Sequence, residues 1–125
     1  ANRIFEPGSP SPKKRFAAIK MLSQNNISTW VFVAPSLPYL TDSEKTINQI
    51  MAASQNAGAN YILFDTLNTY TKVWNNVMRL IKKHFPEAIE FCNYYYNNKT
   101  KYKKQLKRKI LKIGSNYKIK FRFAF

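Results

Sequence analysis

The sequence predicts an α/β fold in which short, buried strands alternate with helices. Two apolar runs carry this prediction, Trp30 to Val33 and Tyr61 to Phe64, and no polar residue interrupts either run. Such runs are typical of strands that are buried on both faces of a parallel sheet covered by helices. They begin 31 positions apart, a distance that fits one strand-plus-helix unit. Both observations favour a parallel sheet.

The ends of the two runs indicate where a ligand site should lie. The first run stops at Pro35 and Pro38, and the second stops at Asp65. Proline cannot donate to a strand ladder, so the chain must leave the sheet there. This is the carboxyl end of the strand, the edge where α/β proteins bind ligands. We therefore expect the site at this edge.

The helices predicted in the first part of the chain follow from capping signals. Ser11 and Pro12 open a helix over residues 12–25, since serine caps and proline suits the first helical position. Thr41 and Glu44 match a capping box for the next helix, which Gly58 ends. A third helix spans residues 71–84, and residues 3–5 look like the end of a further strand. Because the chain begins there and is short for a complete α/β barrel, we expect a missing N-terminal portion.

The last third of the chain has a different pattern. A short helix is predicted over residues 87–96, and a basic helix over residues 100–113 carries an apolar stripe at helical spacing. The stripe consists of Tyr102, Leu106, Ile110 and Ile113. Residues 117–125 alternate between apolar and basic, which predicts an edge strand with one solvated face. We expect two regions: residues 1–86, and a basic extension over residues 87–125.

Net charge is concentrated in the second part of the chain. Residues 1–68 hold six basic and four acidic residues, whereas residues 69–125 hold fifteen and two. Thirteen of the fifteen net positive charges therefore lie in the second part. A basic surface suits DNA, RNA or another polyanion, and we expect Lys103, Lys104, Lys107 and Arg108 to carry such binding. The alternative is a solvated helix face, since lysine-rich composition also follows from an AT-rich genome.

Cysteine content limits the chemistry of the isolated chain. Cys92 is the single cysteine, so the chain can form no internal disulfide and no thiolate cluster of its own. This favours a reducing, cytoplasmic setting. No apolar run approaches the length of a membrane span, so we expect no membrane partner. We expect no catalytic residue and no metal ligand within these residues.

Several ordered motifs resemble one known protein group. They are the segment from Glu6 to Arg15, the strand and exit over residues 31–42, the Ala57-Gly58-Ala59 turn, and the strand ending in Asp65. Together they resemble the C-terminal half of radical S-adenosylmethionine proteins of the spore photoproduct lyase-like group. The resemblance covers roughly residues 1–85.

The resemblance implies a fold and a cofactor. The fold would be a fragment of a partial (βα)6 TIM-like barrel, namely its last three strand–helix units, followed by the basic helical extension and terminal strand. The parent enzyme would use S-adenosylmethionine and a 4Fe-4S cluster held by a CxxxCxxC motif in the missing N-terminal half. The isolated chain, which lacks that motif, would bind no cofactor and be inactive.

The resemblance also implies a set of cofactor-lining residues. They are Glu6, Arg15, Val33, Ala34, Pro35, Asp65 and Asn68, with Ala34 standing where many members have glycine. Simpler roles compete with these. Glu6 and Arg15 could form a surface ion pair, and Asp65 could cap a turn. Three functions stay open: a lyase-like radical enzyme lacking its cluster-binding part, a nucleic-acid-binding module, and a truncated chain without function.

Overall fold

The computed structural model describes residues 11–36, 38–67 and 69–125, without the side chains of residues 34–36. The first five elements are α1 (Pro12–Gln24), β1 (Trp30–Ser36), α2 (Glu44–Ala57), β2 (Tyr61–Thr66) and α3 (Thr71–His84). A 3-10 turn (Pro86–Ala88), α4 (Ile89–Asn97), α5 (Lys99–Gly114) and β3 (Lys120–Phe123) follow. The strand predicted over residues 3–5 lies outside the described residues.

The described strands form one parallel sheet in the order β1-β2-β3. Trp30 pairs with Tyr61, and Tyr61 pairs in turn with Lys120. The prediction that the chain is a fragment of a partial (βα)6 TIM-like barrel is wrong, because this three-stranded sheet is open. Helix–strand alternation specifies parallel neighbours but not closure, which also requires a fixed tilt and stagger of the strands. After β2 the chain forms three helices in succession, so the strand–helix repeat does not continue.

The helix boundaries follow local capping chemistry. Ser11 caps α1 as predicted, because its hydroxyl accepts from the Lys14 amide at 3.3 Å. Helix α2 is capped by Ser43, whose hydroxyl accepts from the Thr46 amide at 3.1 Å. The capping box predicted from Thr41 is therefore wrong, since the serine closer to the helix takes that position. Gly58, with φ of 81°, ends α2 as predicted.

The main core lies on one face of the sheet, under α2 and α5. The strand residues Ile62 and Phe64 pack there against Ile47 and Met51 of α2. The apolar stripe predicted on the basic helix is confirmed, because all four of its members are buried: Tyr102, Leu106, Ile110 and Ile113. This core therefore contains residues from both predicted regions.

The opposite face of the sheet is open in the described part of the chain. Trp30 is 48% exposed and Phe32 is 53% exposed, whereas the alternate residues Val31 and Val33 pack towards the core. The prediction that β1 is buried on both faces is wrong. Helix α1 has no buried residue, and its Leu22 is 40% exposed. It contacts α2 instead, through Ser23, whose hydroxyl donates to the Gly58 carbonyl at 3.0 Å.

Candidate functional site

The carboxyl ends of β1 and β2 meet at one edge of the sheet. Val33 pairs with Phe64, and Ser36 pairs with Thr66, so β1 has one extra residue between these pairs. The register shift falls at Ala34 and Pro35. Proline has no amide proton to donate, and a bulge leaves backbone groups outside the ladder. Such bulges are common beside ligand sites because they redirect the chain.

Asp65 lies at this same edge, at the end of β2. Its side chain is half-buried, and its Oδ1 accepts from the Thr66 amide at 2.8 Å. The structure therefore brings together Asp65 and the backbone of Val33, Ala34 and Pro35. The side chain of Val33 packs against the core, so its backbone is what reaches the edge.

Arg15 lies beside β1, across a groove. The groove has a volume of about 360 Å³ and runs between α1 and β1, with Arg15 and Phe16 on one wall and Val31 and Val33 on the other. Arg15 is exposed to solvent. Its predicted partner Glu6, like the predicted contact Asn68, lies outside the described residues. Arg15 and Val33 are thus the two predicted site residues that share this groove.

The open face of the sheet carries aromatic rings on one side and cations on the other. The Trp30 ring stacks on Tyr61 with centroids 5.5 Å apart and planes 6° apart. The Arg122 guanidinium, from the other neighbouring strand, lies over the same Tyr61 ring, with its carbon 5.2 Å from the ring centroid. Lys120 and Arg122 are exposed on β3. The sequence predicts the solvated basic face of the last strand, but it does not predict the aromatic part of this surface, because β1 reads as buried on both faces.

The four basic residues predicted to bind nucleic acid occupy different surroundings on α5. Lys104 and Arg108 are exposed, and Lys103 is half-buried. Lys107 points towards the end of β3, where its Nζ lies 5.7 Å from the Phe123 ring centroid and 5.2 Å from that of Phe125. Lys104 and Arg108 are thus the members turned fully to solvent.

A pocket of about 350 Å³ follows the carboxyl end of β1, where the connection to α2 meets α4 and α5. Asp42 organises one wall. Its Oδ1 accepts from the Tyr39 amide at 2.9 Å, and its Oδ2 accepts from the Tyr102 hydroxyl at 2.7 Å. Lys109 Nζ donates to the Asp42 carbonyl at 2.8 Å. Burial, reinforced by the Asp42 charge, raises the pKa of Tyr102, so this hydroxyl stays protonated and donates.

Sequence reasoning also missed this pocket. The sequence assigns Tyr102 only to the apolar stripe of the basic helix, and it places Asp42 only at the end of the strand exit over residues 31–42. The two are 60 positions apart, and a contact over that separation leaves no local pattern. A weak signal was present in Tyr39-Leu40-Thr41-Asp42, which follows the proline-rich strand exit.

The described residues do not fit an iron–sulfur cluster. No group of three His, Cys, Asp or Glu residues within them could hold a metal ion. Cys92 is fully buried, and burial, together with the nearby Asp42 charge, raises the pKa of its thiol to about 11. A protonated, inaccessible thiol is a poor metal ligand, because the thiolate is the form that binds.

No helix in the described part of the chain is long and apolar enough to cross a membrane.

Comparisons with known proteins find longer relatives. The chain is 30% identical over 102 residues to the uncharacterized protein MJ0683 of Methanocaldococcus jannaschii, a match that covers 82% of this chain and 35% of the relative. It is 25% identical over 122 residues to the uncharacterized proteins Rv2578c of Mycobacterium tuberculosis and Mb2609c of Mycobacterium bovis. These matches cover 94% of this chain and 36% of each relative.

The chain thus spans about a third of the length of the curated relatives it matches. No family model matches the chain. No solved structure matches it significantly.

Proposed function

We propose that this chain is the C-terminal part of a longer, lyase-like radical S-adenosylmethionine enzyme, and that it lines the S-adenosylmethionine cavity. The observation that carries the proposal is the meeting of the β1 and β2 carboxyl ends, which places Asp65 beside the bulged exit of β1. Of the residues that resemble the radical enzyme group, Val33, Ala34, Pro35 and Asp65 lie at this edge, and Arg15 lies in the groove beside β1. Relatives more than twice as long as this chain give room for the remaining parts of such an enzyme.

The described residues at this edge and in the groove beside β1 have chemistry that suits this cofactor. The Arg15 guanidinium suits the carboxylate of S-adenosylmethionine, because arginine pairs with carboxylates through two parallel hydrogen bonds. The Asp65 carboxylate can accept from ribose hydroxyls or from the ammonium group. Backbone groups released by the β1 bulge can bond the edge of the adenine. These residues would hold S-adenosylmethionine, which, together with a reduced 4Fe-4S cluster held elsewhere in the enzyme, would supply radical chemistry for hydrogen abstraction from a substrate.

The cluster ligands must come from elsewhere, since Cys92 is buried and protonated. We assign them to a missing N-terminal half carrying CxxxCxxC. The same thiol, single and unpaired, supports a reducing cytoplasmic location.

The test uses the longest reading frame that contains this chain, produced anaerobically. S-adenosylmethionine binding is measured by equilibrium dialysis, and Arg15→Gln and Asp65→Asn should each weaken it about tenfold, the usual effect of removing a hydrogen bond to a charged group. Lys13→Gln on α1 and Glu87→Gln are the matched exposed controls. A reading frame without an upstream CxxxCxxC contradicts the proposal, as do Arg15 and Asp65 variants that bind like the controls.

A second function is favoured by the open face of the sheet. Trp30 and Phe32 expose aromatic surface, and the Tyr61 ring, which contacts both Trp30 and Arg122, connects it to the exposed cations Lys120 and Arg122. Aromatic rings next to basic residues bind single-stranded nucleic acid, and stacking contributes about 1–3 kcal/mol per base. We propose single-stranded RNA or DNA as the alternative ligand of this face.

Salt dependence separates specific binding from bulk attraction. Replacing Lys120 and Arg122 by Gln should flatten the slope of log affinity against log salt by about 1.4 units, at roughly 0.7 per contact on a single strand. Two further variants test the basic helix against a control. The first replaces Lys103, Lys104, Lys107 and Arg108 by Gln, and the control replaces Lys13, Lys14 and Lys20. If the loss of nucleic-acid affinity depends only on the number of positive charges removed, and not on their position, the result contradicts a specific site.

A further inference from the structure

The pocket after β1 combines aromatic walls with a pair of opposite charges. Tyr39, Phe91 and Tyr94 line it and expose 45%, 49% and 39% of their surfaces. The Tyr39 and Phe91 rings stack, with centroids 4.7 Å apart and planes at 22°. Single exposed rings are common on protein surfaces, but rings gathered around one cavity form the kind of patch that marks a binding site. Their exposure around a cavity of about 350 Å³ fits the size and lining of small-ligand sites.

The two charged groups of the pocket are held in place. Asp42 is fixed through both carboxylate oxygens, by the Tyr39 amide and the Tyr102 hydroxyl. Lys109 is fixed through its bond to the Asp42 carbonyl. Each carboxylate oxygen can still accept a further hydrogen bond, and the ammonium has two donors left. The pocket therefore offers an oriented acceptor and an oriented donor between aromatic surfaces.

This arrangement discriminates among ligand classes. A quaternary ammonium would suit the rings, but the Lys109 ammonium would repel it. A simple anion would meet the Asp42 carboxylate. A neutral planar heterocycle suits all of these groups. Its ring stacks on the aromatic side chains, and its edge donates a hydrogen bond to the Asp42 carboxylate and accepts one from the Lys109 ammonium.

We propose that this pocket binds a neutral planar heterocycle that carries both hydrogen-bond donors and acceptors, with the size of a purine nucleoside. The backbone at Tyr39 supports a ligand role. Its φ of 68° lies in the left-handed region, which costs a residue with a side chain roughly 1–2 kcal/mol. Strain of this kind clusters at ligand sites, and here it directs an exposed ring over the pocket. The proposal does not rest on the proposed function, because its residues differ from those at the β1–β2 edge.

The experiment titrates this chain with guanosine and adenosine, using calorimetry and amide shift perturbation. A ligand of this size in a partly open pocket should bind with a dissociation constant on the order of 0.1 mM. Tyr39→Gly should weaken binding about tenfold or more, in line with the loss of one stacking surface. Glycine adopts the left-handed backbone conformation of this position without strain, so the Tyr39→Gly variant retains the fold. Lys109→Met should weaken binding about tenfold. Tyr70→Ala, an exposed tyrosine outside the pocket lining, is the control.

The outcomes are separable from those of the proposed function. Guanosine binding should be weakened by Tyr39→Gly and Lys109→Met but not by Lys13→Gln on α1, and Tyr39→Gly should leave S-adenosylmethionine affinity unchanged. No saturable binding at about 10 mM nucleoside, roughly a hundredfold above the expected constant, would overturn the proposal. Binding that Tyr39→Gly does not affect would place the ligand elsewhere. Tighter binding of tetramethylammonium than of nucleosides would contradict the ligand class.

Discussion

At the scale of single residues, Tyr39 is the position where side chain and backbone conflict. A residue with φ of 68° is normally glycine or asparagine, as at Asn26 with φ of 61°, because a Cβ atom is strained there. The hydrogen bond from the Tyr39 amide to Asp42 holds the conformation in place. A large aromatic ring is thereby held at the pocket mouth.

Replacing Tyr39 by Gly and by Ala isolates the backbone contribution, since both variants lose the ring. Tyr39→Gly should be more stable than Tyr39→Ala by about 1 kcal/mol, because glycine adopts positive φ without strain. Urea unfolding measures the difference. The matched control is Asn93, exposed on α4, where Ala should be more stable than Gly by about 1 kcal/mol. Equal stability of the two Tyr39 variants would contradict the strain.

Cys92 links stability to pH through its buried thiol. Burial, with the Asp42 charge, raises its pKa from 9.0 to about 11, so the folded state retains a proton that the unfolded state releases. The stabilisation is complete below pH 9 and is lost as pH rises towards 11. Urea unfolding from pH 8 to 11 should show this decline, and Cys92→Ala should reduce it. Tyr102 and Tyr95, whose pKa values burial also raises, account for the decline that remains. An unchanged pH profile in Cys92→Ala would contradict this cause.

At the scale of elements, the contact between the end of α5 and β3 depends on a glycine. A Cβ atom at Gly114 would overlap the Phe121 ring, with Cζ only 2.5 Å away. Ala normally stabilises a helix relative to Gly by about 0.5–1 kcal/mol. Gly114→Ala should instead lower the free energy of unfolding by about 1–3 kcal/mol, the usual cost of overpacking. Thermal unfolding measures the change, and adding Phe121→Leu should recover part of it. A stabilised Gly114→Ala variant would contradict the contact.

Elements with local signals were predictable from the sequence. The α5 stripe, the Ser11 cap and the Gly58 terminus each depend on neighbouring residues, and each is confirmed. Features that depend on distant residues were not. Strand β1 reads as apolar throughout, yet Trp30 and Phe32 are exposed, because periodicity cannot show whether a second layer covers the sheet. The pocket at Asp42 was missed for the same reason, since its other wall comes from α4 and α5.

At the scale of the whole molecule, the chain should bind no iron–sulfur cluster by itself. A cluster of this type needs several thiolates, and Cys92 is single, buried and protonated. Anaerobic reconstitution followed by iron analysis should therefore give no stoichiometric iron. Cys92→Ala is the matched control and should give the same background. Stoichiometric iron in the unaltered chain, absent from the control, would contradict this prediction.

The central claim is that this chain lines the S-adenosylmethionine cavity of a longer radical enzyme. Its most direct test is reductive cleavage of S-adenosylmethionine by the longest protein that contains the chain, reconstituted anaerobically with dithionite as reductant. The account predicts 5′-deoxyadenosine formation, reduced about tenfold or more by Asp65→Asn while iron content is unchanged, and unaffected by Glu87→Gln. Formation of no 5′-deoxyadenosine by an iron-loaded protein, or equal formation by the Asp65 and Glu87 variants, would contradict it.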